Sequence, residues 1–118
     1  MTALIVFAHG SSIESANEAV RVVARDLATA TGSHVEPSFL EGGRPDLAGA
    51  VDACIAQGAS RVTVVPYFLT LGLHLKRDLP RLVDQVRESH GGVEIQVAPP
   101  LDGHPALIQA LKDRAAEV

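Results

Sequence analysis

A chain of 118 residues has room for one domain with its own core, since chains of this size bury roughly two-thirds of the surface they expose when unfolded. Hydrophobic residues make up 47% and charged residues 20%, which excludes a disordered chain, while a net charge of −4 argues against a nucleic-acid or anionic-membrane surface. The one cysteine, Cys54, excludes an internal disulfide and any cluster built on several thiolates.

Taken in order, the apolar pattern alternates between strand and helix periods. Residues 3–8 form a continuous apolar run ending at His9-Gly10, as expected of a strand buried on both faces. No basic leader or cleavage site precedes this run, and no apolar stretch approaches the roughly 18 residues of a membrane span. The chain is therefore expected to be a soluble, cytoplasmic domain. Ser11 or Ser12 is placed to cap a helix over 14–30, where Ala16, Val20, Val23, Ala24 and Leu27 recur at helical spacing. Gly32 stops it. Residues 34–40 read as a second strand, and Pro37 assigns that strand to a sheet edge.

Pro45 is expected at the first turn of a second helix reaching Gln57, with Leu47, Ala50, Val51, Cys54 and Ile55 on one face. Cys54 on that face reads as a buried, inert thiol. Residues 61–68 form a third, nearly all-apolar strand. A loop containing Gly72 leads to a third helix over 75–89, with Pro80 in its first turns. Residues 93–97 alternate like an edge strand, and His104-Pro105 open a last helix carrying Leu107, Ile108 and Leu111.

This succession defines a single α/β domain over 1–118, with a four-stranded parallel sheet and helices on both faces. The most apolar strands, first and third, belong in the centre, giving the order 2-1-3-4. Ligands of such sheets bind beyond the carboxyl ends of the strands, where the order reverses. His9 follows the first strand, Glu41 the second, and His74 lies in the loop after the third. Two imidazoles and a carboxylate suit a divalent metal or a general base, and without thiolate the metal would be held loosely. His34 and His90 read as structural, and His104 as a cap or loop residue. Arg44, Lys76, Arg77 and Arg81 stand near the expected mouth and could attract a polyanionic small molecule, while Lys76 and Arg77 could equally pair with Asp78 and Asp84. Ser11 and Ser12 open a helix N-terminus that could hold a carboxylate or phosphate. Neither a Walker-type phosphate loop, a dinucleotide-binding glycine motif nor a serine-hydrolase elbow is present.

Three segments together resemble the sirohydrochlorin chelatases in their short, single-domain form. They are Ile5-Val6-Phe7-Ala8-His9-Gly10-Ser11, then Phe39-Leu40-Glu41 with Pro45 following, then Val64 to Leu69 running on through Gly72-Leu73-His74 to Pro80. The resemblance covers almost the whole chain. It implies a lyase that inserts a divalent metal into a tetrapyrrole without ATP, in cobalamin or siroheme biosynthesis. It also implies a homodimer reproducing what longer relatives build from two halves of one chain. Carried onto this sequence, the catalytic histidines are His9 and His74, and the metal ligands are His9, His74 and Glu41. Ser11, Ser12, Arg44, Lys76 and Arg77 are expected to meet the substrate's carboxylates. Leu73 is apolar where many relatives carry a charged or small residue. No permanently bound cofactor is expected. The metal is a substrate, Co²⁺ first, with Fe²⁺ and Ni²⁺ accepted by the same donors. The competing readings are a metal- or tetrapyrrole-binding protein without turnover, and a phosphohistidine-type phosphatase, which usually wants arginine where Ala8 stands.

Overall fold

The computed structural model describes all of residues 1–118. The elements run β1 (Thr2–Ala8), α1 (Glu14–Thr31), β2 (Val35–Phe39), α2 (Leu47–Ala56), β3 (Arg61–Pro66), α3 (Leu73–Ser89), β4 (Glu94–Val97) and α4 (Pro105–Ala115). All neighbouring strands are parallel and the sheet order is β2-β1-β3-β4, as the apolar pattern predicts. Pro37 lies on β2 opposite Val6, at the edge where its missing N–H leaves no ladder partner wanting. No helix is long and apolar enough to cross a membrane.

Strand alternation divides the core in two. Ile5 and Phe7 of β1, with Val62, Val64 and Ile95, face α2 and α3 and pack on Leu47, Val51, Cys54, Leu79, Val83 and Val86. Val6, Ala8 and Phe39 face the opposite way, onto Val20 and Ala24 of α1. Each fully buried side chain of this kind contributes roughly 1.5–3 kcal/mol, so the larger cluster dominates the stability. Helices thus stand on both faces of the sheet, but the last does not complete a layer: α4 buries no residue. Across the part of the α1-side face formed by β3 and β4, Thr63 and Val65 stay partly exposed and Gln96 is exposed.

Three element boundaries differ from expectation, each for a local reason. Asp46, not Pro45, caps α2, because its carboxylate accepts the Gly49 N–H at 2.9 Å; Pro45 stands just outside the helix. The cap of α1 is Ile13, and Ser11 instead takes the Ile13 N–H on its hydroxyl at 3.0 Å, closing the turn before the helix. Gly72 begins α3 early, its carbonyl accepting the Lys76 N–H at 3.0 Å. His74 therefore lies in the first turn of a helix rather than in a loop. Pro80 falls in the helix interior, where its missing N–H leaves the Lys76 carbonyl without its usual donor.

His90 ends α3 and ties it to α2. Its Nδ1 lies 2.7 Å from the Val86 carbonyl and its Nε2 2.6 Å from the Asp52 carboxylate. Both acceptors are satisfied together only by the doubly protonated imidazolium, and the Asp52 contact, then the Val86 carbonyl, raise the His90 pKa. A raised folded-state pKa adds stability that is complete below the ordinary histidine value of about 6.5 and fades as pH climbs through the raised value. Thermal melts of wild type and Asp52→Asn should therefore differ most at pH 5.5–6.5 and converge towards pH 8.5; a gap independent of pH would contradict this assignment.

Cys54 is fully buried between α2 and the sheet, and desolvation, with a smaller push from Glu36, drives its thiol pKa up to about 11. The native protein should leave a thiol reagent unreacted, and unfolding should release one equivalent.

Candidate functional site

The carboxyl ends of β1 and β2 are joined by two loops that lie against one another. Leu40 and Glu41 donate their N–H groups to the carbonyls of Ala8 at 2.9 Å and His9 at 3.0 Å, extending the β1–β2 ladder past both strands. Gly10 has φ +88°, and a Cβ there would fall 1.6 Å from the Glu41 carbonyl oxygen. Only glycine fits this contact. The ladder brings two candidate side chains together: His9 Nδ1 lies 3.7 Å from Glu41 Oε1, with the side chains 57% and 69% exposed. At that distance the pair is close without a formed hydrogen bond, so both groups keep lone pairs for a ligand.

The residue that holds the two loops is none of the strand-end candidates. Asn17, on the first turn of α1, is 1% exposed and sits inside the junction. Its Nδ2 donates to the Ser11 and Gly42 carbonyls, each at 2.9 Å, and its Oδ1 accepts the Ser11 N–H at 3.0 Å. The available signal was an amide in register with Val20 and Ala24 on the buried face of an amphipathic helix. Ser11 serves this framework with both its N–H and its hydroxyl, whereas no side-chain bond holds Ser12.

His74 comes from the first turn of α3, after β3, and does not close with His9 and Glu41 into a compact ligand set. No group of three or more His, Cys, Asp or Glu side chains is gathered closely enough to hold a metal. The structure thus assembles the His9–Glu41 pair and leaves His74 apart on the neighbouring element.

Charge around the site is distinctive. Of the ten Lys and Arg residues, Arg21, Arg25, Arg61, Arg87 and Arg114 are in ion pairs. The other five are not: Lys112 lies on α4, and Arg44, Lys76, Arg77 and Arg81 belong to the β2–α2 loop or the first half of α3. Asp84, a suggested partner of the α3 cations, is engaged by Arg87 at 2.8 Å. Arg44 and Glu41 line one cavity at this end of the sheet, and Arg81 lines another with Phe7, Leu40 and Leu75. The first turn of α3 carries no acidic residue and its cap makes no side-chain bond, while α1 has Glu14 in its first turn. Of the two helix N-termini at the mouth, that of α3 is the better anion seat.

The parallel 2-1-3-4 sheet thus carries a histidine–carboxylate pair beyond the neighbouring strands β1 and β2, with cations free of ion pairs on the adjoining loop and helix. The chain belongs to the CbiX family, whose model matches residues 3–118. It is 36% identical to the sirohydrochlorin cobaltochelatase of Priestia megaterium, covering 98% of this chain and 38% of that protein. It is 31% identical to the chloroplastic sirohydrochlorin ferrochelatase of Arabidopsis thaliana, covering 94% of this chain and 50% of the other. The chain thus spans half or less of the length of these two curated relatives. A crystal structure from Marinobacter aquaeolei VT8, described as a cobalamin biosynthesis CbiX protein, matches with a TM-score of 0.88 at 31% identity, covering 99% of this chain and 96% of that one.

Proposed function

We propose that the protein is a sirohydrochlorin chelatase, exchanging two pyrrole protons of a carboxylate-rich tetrapyrrole for a divalent metal without ATP. The observation that carries this reading is the His9–Glu41 pair set 3.7 Å apart beside cations without ion-pair partners. Insertion requires the metal to shed water and two N–H protons to leave the ring. A neutral imidazole can ligate the metal or take a proton near neutral pH, and a carboxylate beside it stabilises either the cation or the imidazolium. His9 and Glu41 form the metal-receiving side of the site, and His74, on the adjacent element, receives a proton from the ring or hands over the metal.

Substrate carboxylates are oriented by Arg44, Lys76 and Arg77 together with the α3 N-terminus, with Ser11 and Ser12 at the other side of the mouth. Exposed Leu73 offers an apolar surface to the macrocycle face. Nitrogen and oxygen donors without thiolate accept Co²⁺, Fe²⁺ and Ni²⁺, and two donors hold any of them loosely enough to release it. Co²⁺ is the metal we place first, and a homodimer in the cytoplasm is the working form. The two relatives named for sirohydrochlorin chelation, one for cobalt and one for iron, support the reaction class.

The test is anaerobic: sirohydrochlorin with Co²⁺, Fe²⁺ or Ni²⁺, with and without the protein, followed by the visible spectrum as metal enters the ring. Acceleration over the spontaneous rate, ranked with Co²⁺ first, is expected. No acceleration by the folded protein would replace the enzyme with a tetrapyrrole- or metal-binding protein. Replacing Lys76 and Arg77 together by Gln should raise KM by about tenfold or more while leaving kcat nearly unchanged, because these side chains hold parts of the substrate remote from the reacting nitrogens.

A further inference from the structure

α2 and α3 lie on the same face of the sheet but do not close along their whole length. At the far end of α3, His90 reaches Asp52 of α2 at 2.6 Å and ties the two helices. Towards the mouth they part, and a groove opens between them. Its first cavity, of about 270 Å³, has Leu40, Leu75, Leu82, Asp78, Arg81 and Gln85 in its wall. A second, of about 350 Å³, shares Leu40, Leu82 and Gln85 and continues along α3 to Ser89. Leu40 also lines the cavity of Glu41 and Arg44, so the groove opens one residue from the His9–Glu41 pair.

The groove pairs apolar walls with two polar groups that have no partner in the chain. Arg81 is in no ion pair, since Arg87 takes Asp84. The Gln85 side-chain amide makes no hydrogen bond, unlike its main-chain carbonyl, which accepts the Ser89 hydroxyl at 3.3 Å. Four residues apart on α3, Arg81 and Gln85 stand on one stripe of the helix. A guanidinium fork and a primary amide together offer the donors that a carboxylate accepts, and the leucines beside them suit a methylene stem. Asp78, nearer the mouth, lines the same cavity without forming an ion pair with Arg81. The five N–H donors of a guanidinium leave an edge for a second carboxylate.

We propose that this groove holds one carboxyl-ended alkyl arm of the ligand, its methylenes against Leu40, Leu75 and Leu82 and its carboxylate on Arg81 and Gln85. The proposal rests on the carboxylate-rich macrocycle of the reading above and adds to it two specificity-determining residues. Arg44, Lys76 and Arg77 attract negative charge whatever carries it. A groove with leucine walls and a guanidinium at its side also reads the stem and the end group of a single arm. A ring whose arms are esterified leaves Arg81 and Gln85 unmatched, and the reacting nitrogens of the ring lie outside the groove.

Titration of the whole protein with metal-free sirohydrochlorin, and with its octamethyl ester, tests the assignment without any insertion step; ring fluorescence reports the bound fraction. Arg81→Gln is expected to weaken binding of the acid about tenfold and to leave binding of the ester unchanged. Arg81→Lys keeps the charge and loses the fork, and should fall between wild type and Arg81→Gln. Gln85→Leu should weaken binding of the acid about threefold and likewise spare the ester. Both positions are exposed, so each variant should melt within a few degrees of wild type; should Arg81→Gln misfold, Gln85→Leu probes the groove independently. In the insertion assay the Arg81→Gln loss should appear in KM and not in kcat. Unchanged affinity of folded Arg81→Gln for the acid would overturn the proposal, as would an equal loss for acid and ester. Binding that depends on Arg81 but brings no metal insertion would sink only the chelatase reading. Insertion by a protein whose affinity ignores Arg81 would sink only this one.

Discussion

His9→Ala is expected to lower the rate of metal insertion by about 10²–10⁴-fold while leaving the fold intact. The side chain is more than half exposed, and its one polar contact beyond Glu41 is a long 3.4 Å approach to the Gly10 carbonyl, so little stability depends on it. The Glu41 N–H bond to residue 9 uses the backbone carbonyl, which alanine keeps. His9→Ala should thus melt within a few degrees of wild type, and anaerobic spectral assays should show the loss in kcat. Glu41→Gln is expected to be milder, since an amide still ligates or accepts a hydrogen bond but no longer supplies charge. His74→Ala, on an exposed first turn, should follow His9→Ala in activity and in retained folding. Normal insertion by a folded His9→Ala protein would remove that residue from the chemistry.

Asn17→Leu is expected to produce a large loss of stability. Leucine fits the volume and the helix, but it abandons the Ser11 N–H and the carbonyls of Ser11 and Gly42 inside a buried junction. Leaving buried polar groups unpaired costs about 1–3 kcal/mol each, and partial relaxation to water brings the sum to about 3 kcal/mol. For a domain of this size the midpoint of thermal unfolding should fall by on the order of 10 °C. Below that midpoint the folded fraction should still insert metal poorly, because the loops bearing His9 and Glu41 lose their common anchor. Asn17→Asp separates the two effects. The carboxylate can still accept the Ser11 N–H but now faces two carbonyl oxygens, so its melting temperature should rise when pH is lowered enough to protonate it. A melting temperature for Asn17→Leu equal to that of wild type would show that the junction is held by backbone contacts alone.

Most of the fold could be read from the chain because its signals are local and mutually consistent. Two all-apolar strands, an edge strand marked by Pro37 and helical spacing between them leave one reasonable sheet order. The boundaries were less legible, since they depend on which atom captures which orphan N–H: Asp46 against Pro45 at α2, Gly72 against the expected later start at α3. Of the site, the strand-end positions of His9 and Glu41 were visible, because β1 and β2 are neighbours and their following residues share one edge. Asn17 was not, because a buried amide announces itself only through the three partners that surround it, and those come from two loops distant in sequence. The pairing of five cations and the isolation of the other five depend on side-chain placement that spacing does not encode. The detachment of α4 was equally hidden, since an amphipathic stripe shows that a helix packs, but not on what.

The central position of β1 has a consequence for how the chain comes to be folded. β1 lies early in the sequence yet is flanked on both sides, by β2 and by β3, with Ile5 opposite Glu36 on one side and Val64 on the other. As the chain leaves the ribosome, β1 and β2 can pair around α1, but the second edge of β1 stays open until Arg61–Pro66 has emerged. For that interval a nearly all-apolar strand presents an unpaired edge, the template on which neighbouring nascent chains aggregate. Slower synthesis between β2 and β3 lengthens that interval and should lower the soluble yield of this protein.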